Sequence, residues 1–98
     1  MPQAIENLTS LAGTIVSRQP HPRLPDYDLV TINVERAEPV EGKANLLGDT
    51  AGKTVDVAFR RALIGSAIPG TRVQFRAKRT MDGAMSEPHP EEDHFRIE

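Results

Sequence analysis

Apolar and polar side chains alternate along several stretches of this chain. A period of two predicts β-strands that have one buried and one exposed face. The clearest stretch is residues 53–60, where Val55, Val57 and Phe59 alternate with polar or small residues. The same alternation predicts further strands over residues 10–18, 27–37 and 72–78. The chain is therefore expected to be all-β.

The connections between these strands carry strong turn signals. Residues 19–26 contain three prolines, which exclude both helix and sheet pairing there. Residues 61–68 allow at most about two helical turns, because Pro69 disfavours helical backbone at the residue before it. Asp82 and Gly83 form a sequence pair that predicts a tight hairpin.

The last strand is expected to start at Ala84, beyond this hairpin. Pro88 and Pro90 should interrupt it, because proline donates no hydrogen bond to a sheet. It should resume over residues 94–97, with Phe95 and Ile97 facing inward.

Strand parity also predicts the core, because alternate side chains of a strand point to one face. One parity of each strand is apolar, and these positions together form the expected core: Val30, Ile32, Val34, Val55, Val57, Phe59, Val73 and Phe75. Gly13 interrupts the first strand and predicts a bulge or a sharply coiled strand, which the closure of a barrel requires.

The order of elements is strand, strand, strand, short helix or turn, strand, strand. This order resembles the OB-fold, a five-stranded Greek-key barrel, and the resemblance covers residues 10–98, with residues 1–9 as an N-terminal extension. An open SH3-like barrel and a six-stranded sandwich would produce a similar pattern, so both remain alternatives. The resemblance concerns the fold and singles out no particular protein family.

Length and composition are consistent with one small cytoplasmic domain. The chain has 98 residues, enough for a single core, and it contains no cysteine, which excludes disulfides and thiolate chemistry. The N-terminus lacks the basic and apolar regions of a signal peptide, and no apolar run is long enough to span a membrane. We therefore expect a soluble protein with no membrane partner.

Charge is distributed unevenly although the net charge is only −2. Residues 53–79 contain seven lysines and arginines against Asp56 alone, whereas residues 80–98 contain six acidic residues against Arg96 alone. The basic strands and the acidic tail could neutralise each other in the fold. The alternative is a basic groove that binds a polyanion.

Two motifs resemble functional sites but lack the features that would make them so. Residues 48–54 resemble a phosphate-binding P-loop, but three residues instead of four separate the glycines, and a strand follows instead of a helix. His89 and His94 flank three acidic residues, an arrangement that is more typical of a solvated loop than of a metal site. No serine lies in a nucleophile-elbow motif. We expect no enzymatic activity, no cofactor and no metal.

The OB-fold resemblance implies a location for a ligand. Such barrels bind oligonucleotides across strands two and three, between the loop joining strands one and two and the loop joining strands four and five. The corresponding candidates here are Arg18, Arg23, Tyr27, Arg76, Lys78 and Arg79. Tyr27 is the single aromatic residue outside the predicted core, so base stacking should be minor. We expect weak, phosphate-driven binding of single-stranded DNA or RNA.

The alternative function is a protein-interaction barrel with no role in nucleic-acid binding. Its charged faces or an unpaired strand edge would then bind a protein partner or a second copy of the chain. A structural role for the cations of strand four is a separate alternative to phosphate binding, in which Arg76, Lys78 and Arg79 pair with Glu87, Glu91, Glu92 and Asp93 of the acidic tail.

Overall fold

The computed structural model describes residues 6–81 and 83–98. Within them lie one short helix, α1 (Arg61–Ile64), and a 3-10 turn at Glu92–His94. The strands of these residues are β1 (Thr9–Pro20), β2 (Tyr27–Pro39), β3 (Thr54–Arg60), β4 (Arg72–Thr80), β5 (Gly83–Ser86) and β6 (Arg96–Ile97).

The first five strands close into a barrel. β1 pairs antiparallel with β2 on one side and with β4 on the other. β2 continues antiparallel to β3, β3 lies parallel to β5, and β5 returns antiparallel to β4. The predicted all-β barrel of five strands, with a short helix between the third and fourth, is confirmed. Closure distinguishes it from an open barrel or a sandwich.

The predicted elements agree with the observed ones except near their ends. The helix is a single turn that ends before Gly65, whose N–H donates to the carbonyl of Arg61 at 3.0 Å. The last strand is interrupted as predicted, since β6 pairs with β4 separately from β5. Asp82 of the predicted hairpin, and residues 1–5 of the predicted extension, lie outside the described residues. No helix within residues 6–81 and 83–98 is both long and apolar enough to span a membrane.

The core lies inside the barrel and contains seven of the eight predicted side chains, whereas Val55 is only half-buried and packs against it. Phe59 and Phe75 are at most 1% exposed, and their rings meet edge to face with centroids 4.9 Å apart. Phe95 is half-buried against Phe59, as predicted for an inward residue. Ile97 was expected to face inward and this was wrong: it is 41% exposed, because β6 pairs through only two residues at the edge of β4.

The predicted bulge near Gly13 is present. The register of β1 and β2 shifts between Ala12 and Gly13, where Glu35 of β2 is the extra residue. A Cβ on Gly13 would lie 2.3 Å from the carbonyl oxygen of Asn33, so only glycine allows the two backbones to approach this closely. A second shift, between Ile15 and Ser17, leaves Val16 as an extra residue on β1.

Candidate ligand-binding groove

A groove of about 340 Å³ lies on the outer face of the barrel, between the β1–β2 loop (residues 21–26) and the junction of β4 with β5. Its lining is mostly apolar and includes Leu24, Leu29, Ala58 and Met85. Leu29 pairs with Ala58 across β2 and β3, and Ala58 pairs with Met85 across β3 and β5. The floor of the groove is therefore built by the parallel closure of the barrel.

The floor of the groove extends across β5 to a cation on β4. Met85 of β5 pairs with Lys78 of β4. Directly opposed residues in a sheet project from the same face. The row Leu29, Ala58, Met85 and Lys78 thus runs across four strands and ends in an exposed ammonium group.

One wall is the β1–β2 loop, which His21 holds in shape. The Nδ1 atom of His21 accepts hydrogen bonds from the backbone N–H groups of Arg23 and Leu24, both at 3.1 Å. The backbone N–H of His21 donates to the carbonyl of Tyr27 at 3.0 Å. A nitrogen that accepts hydrogen bonds carries no proton, so the neutral ring has its proton on Nε2. These contacts place Arg23 and Leu24 along the groove.

The opposite wall approaches β3 closely. Gly83 begins β5, and a Cβ there would lie 2.7 Å from the carbonyl oxygen of Asp56. The exposed carboxylate of Asp56 lines the groove together with Thr80. Thr31, the partner of Asp56 on β2, donates its hydroxyl hydrogen to Oδ1 at 2.7 Å. This carboxylate is thus held in place by a neighbouring strand.

Three of the predicted binding residues lie in or beside this groove. Arg23 lines it, and Lys78 lies at the end of its floor row. Arg79 lines a second hollow of about 550 Å³, which shares Thr80 with the groove and also contains Lys43 and Lys78. The guanidinium of Arg79 donates to the carbonyl of Leu46 at 3.0 Å.

Arg18 is not among the residues that line the groove and belongs to a cluster between the C-terminal end of β1 and α1. Its side chain is 17% exposed and donates to Asp28 at 2.7 Å and to the carbonyl of Ala67 at 2.7 Å. Arg61 of α1 donates to the same carboxylate at 3.1 Å. Burial alone would raise the pKa of Asp28, but the hydrogen bonds and charges of the two arginines outweigh it and lower the pKa. Arg18 is therefore not one of the groove cations.

Arg76 and Tyr27 also lie outside the groove lining. The guanidinium of Arg76 is 3.1 Å from Nδ1 of His94, in the 3-10 turn. Tyr27 is half-buried at the start of β2, opposite Arg60. Sequence analysis did not single out Arg60, whose Nε donates to the carbonyl of Pro88 at 3.0 Å. The alternation of β3 places Arg60 on the exposed face, and this pattern could have indicated it as a candidate.

In the part of the chain that the structure describes, the acidic residues predicted to pair with the cations of β4 do not do so. Within the described residues, neither Arg76 nor Lys78 forms an ion pair with Glu87, Glu91, Glu92 or Asp93. The observed ion pairs of β4 are those of Arg72 with Glu35 and Glu98, and that of Arg79 with Asp49.

The described residues contain no evident cluster of metal ligands. Among residues 6–81 and 83–98, no three histidine, aspartate or glutamate side chains are grouped so that they could hold an ion. The arrangement that the groove does offer is an apolar floor, a fixed carboxylate and flanking cations.

No protein-family model, curated protein or solved structure matches the chain.

Proposed function

We propose that this chain is a small, non-enzymatic, OB-like binding module that binds single-stranded nucleic acid weakly in the groove. The position of the groove carries the proposal. It crosses the outer face of β2, β3 and β5, between the β1–β2 loop and the junction of β4 with β5. OB-folds hold oligonucleotides between the corresponding loops.

The charges beside the groove support phosphate contacts on both sides. Arg23 lies on the wall formed by the β1–β2 loop, and Lys78 and Arg79 lie beyond the opposite wall. Lys78 has no side-chain partner among the described residues, so its ammonium group can meet a phosphate without first breaking an ion pair. Two or three phosphate contacts would give a salt dependence of about −1.5 to −2 in log K against log salt.

The floor accounts for the expected weakness. It offers Leu29 and Met85 to the face of a base instead of an aromatic ring. Each base that stacks on an aromatic residue contributes ~1–3 kcal/mol in nucleic-acid-binding barrels. Binding here would lack most of that contribution and would depend on phosphate contacts.

A protein ligand is the second candidate, and the same floor favours it. An apolar strip between polar walls is a common feature of peptide-binding surfaces. A basic peptide could place an aliphatic side chain on Leu29 and Met85 while its charge meets Asp56. This candidate requires no phosphate contact, so the role of Lys78 separates the two.

The test is a titration of fluorescein-labelled oligo(dT) and oligo(U) decamers, followed by fluorescence anisotropy at about 20 mM and about 200 mM salt. Lys78→Glu should weaken binding at least fivefold. Arg36→Glu is the matched control, because Arg36 is also exposed but lines a different hollow, beside Glu38. Equal losses in the two variants would indicate an effect of net charge only. Absence of binding by the wild-type protein at low salt would exclude the nucleic-acid function and leave the protein ligand.

A further inference from the structure

Asp56 is the feature of the groove that phosphate binding does not explain. It is the single acidic residue between positions 53 and 79, and the structure places it in the groove lining. A carboxylate repels phosphate, so at this point of the groove a strand of nucleic acid would not present its backbone. It would present groups that donate hydrogen bonds.

The carboxylate of Asp56 has a fixed orientation. Thr31 lies directly opposite on β2 and donates to Oδ1 at 2.7 Å, which leaves Oδ2 and one lone pair of Oδ1 as acceptors. The backbone of Asp56 is held by the pairing of β3 with β2, in which Asp56 lies opposite Thr31. A side chain held by a hydrogen bond from the neighbouring strand can discriminate between ligands by geometry.

We infer, on the basis of the proposed function, that Asp56 is a specificity-determining residue that selects guanine. The Watson–Crick edge of guanine presents two adjacent N–H donors, N1–H and the 2-amino group, which match the two oxygens of a carboxylate. Adenine and cytosine each present one amino group. Thymine and uracil present a single N–H between two carbonyl oxygens, and both of these oxygens repel a carboxylate.

His21 provides a complementary group on the facing wall. Its Nδ1 atom is occupied by two backbone N–H groups, so the neutral ring keeps a donor at Nε2. Guanine carries an acceptor, O6, beside its two donors. The acceptor of Asp56 and the donor of His21 thus complement the hydrogen-bonding groups of one base edge, and both residues line the same groove.

The cations are placed to suit this arrangement. Lys78 on β4 is separated from Asp56 on β3 by β5, so the two strands lie two interstrand spacings, or roughly 10 Å, apart. Lys78 is level with Met85 and Ala58, and Asp56 lies two residues further along β3. Lys78 can therefore contact a phosphate while Asp56 contacts a base, and Met85 and Ala58 beside Lys78 offer an apolar surface to the bound strand.

The test compares three labelled decamers: oligo(dT), alternating d(TC) and alternating d(TG). The wild-type protein should bind d(TG) at least about tenfold more tightly than oligo(dT), with d(TC) between them. Asp56→Ala should remove this preference while its affinity for oligo(dT) stays equal or rises, because a negative charge is lost. Thr31→Val, which keeps the shape but frees the carboxylate, should reduce the preference in part. Glu38→Gln, at an exposed carboxylate outside the groove, should keep it in full.

The outcomes separate this inference from the proposed function. Equal binding of d(TG) and oligo(dT) by the wild-type protein would overturn the role of Asp56 and leave nucleic-acid binding intact. A preference for d(TG) that survives in folded Asp56→Ala, as checked by circular dichroism, would overturn it as well. If no decamer binds, both proposals fail together.

Discussion

Replacing Asp28 with asparagine removes the carboxylate that joins three parts of the barrel. Asp28 begins the buried part of β2 and accepts hydrogen bonds from Arg18 of β1 and Arg61 of α1. Arg18 in turn donates to the carbonyl of Ala67, beyond the helix. The substitution keeps the size of the side chain and removes its charge, so its effect reports on the ion pairs rather than on packing.

The expected loss follows from burial. The side chains of Asp28 and Arg18 are 10% and 17% exposed, so removing one charge leaves the other desolvated and unpaired. Breaking a buried pair in this way destabilises a protein by ~3–5 kcal/mol. Arg61 is 51% exposed, and its pair adds at most about 1 kcal/mol. Arg18 keeps the Ala67 carbonyl, so we expect a loss of about 3 kcal/mol, which corresponds to a fall in Tm of about 12–24 °C.

The assay is urea unfolding at pH 7, followed by far-ultraviolet circular dichroism. Asp26→Asn is the matched control, because Asp26 is two residues away and exposed, and it should change the free energy of unfolding by less than about 0.5 kcal/mol. The double variant Arg18→Met with Asp28→Leu should recover most of the stability, since an apolar pair replaces a buried ion pair at little cost. A loss below about 1 kcal/mol in Asp28→Asn would refute the argument.

Three further changes test the barrel. Phe75→Ala should destabilise it by ~3–5 kcal/mol, because the ring is 1% exposed and packs against Phe59; an unchanged urea midpoint would contradict the core. Gly13→Ala should cost ~1–3 kcal/mol, since its Cβ would lie 2.3 Å from the carbonyl oxygen of Asn33, whereas Ser17→Ala on exposed β1 should be nearly neutral. The pKa of Asp28 is lowered although the side chain is buried, so the ionised carboxylate stabilises the folded state. This stabilisation is complete above the unfolded-state pKa of about 3.9 and is lost as the pH falls further. The stability difference between wild type and Asp28→Asn should therefore shrink as the pH falls below about 3.9; a constant difference would show that the carboxylate is not involved.

Alternation along the chain was sufficient to predict the strands and most of their core positions, because the two faces of each strand are set locally. Val30, Ile32 and Val34 face inward for the same reason that the residues between them do not. Leu47 and Ile64 are buried too, but they lie in a connection and in a single helical turn, where no strand period marks them. Their burial depends on tertiary packing.

Arg18 shows why one candidate site residue lies outside the groove. Simple alternation after Ile15 puts Val16 and Arg18 on the outer face. The bulge at Val16 adds a residue to β1 and reverses the parity beyond it, so Val16 stays 51% exposed while Arg18 turns toward Asp28. A bulge at a valine has no local sequence signal comparable to that of Gly13.

The floor of the groove was beyond sequence analysis for a different reason. Ala58 and Met85 become neighbours only through the parallel pairing of β3 with β5. Alternation within each strand records which face a residue occupies, but not which strand lies beside it. The groove lies between the two loops that the OB-fold resemblance named, but the presence of Asp56 in it depends on the packing of the strands.

The parallel pairing of β3 with β5, which is the seam that closes the barrel, is also the shortest strand pairing of the barrel among the described residues. Its register consists of Val57 with Ala84 and Ala58 with Met85, whereas β1 and β2 pair over most of their lengths. Local opening should occur most readily at so short a seam, with amide hydrogen exchange faster there than between β1 and β2. Because Ala58 and Met85 are also the floor of the groove, a ligand lying across them would bridge the seam and slow that opening. Occupancy of the groove would thus be measurable as slower exchange of the backbone amides that pair β3 with β5.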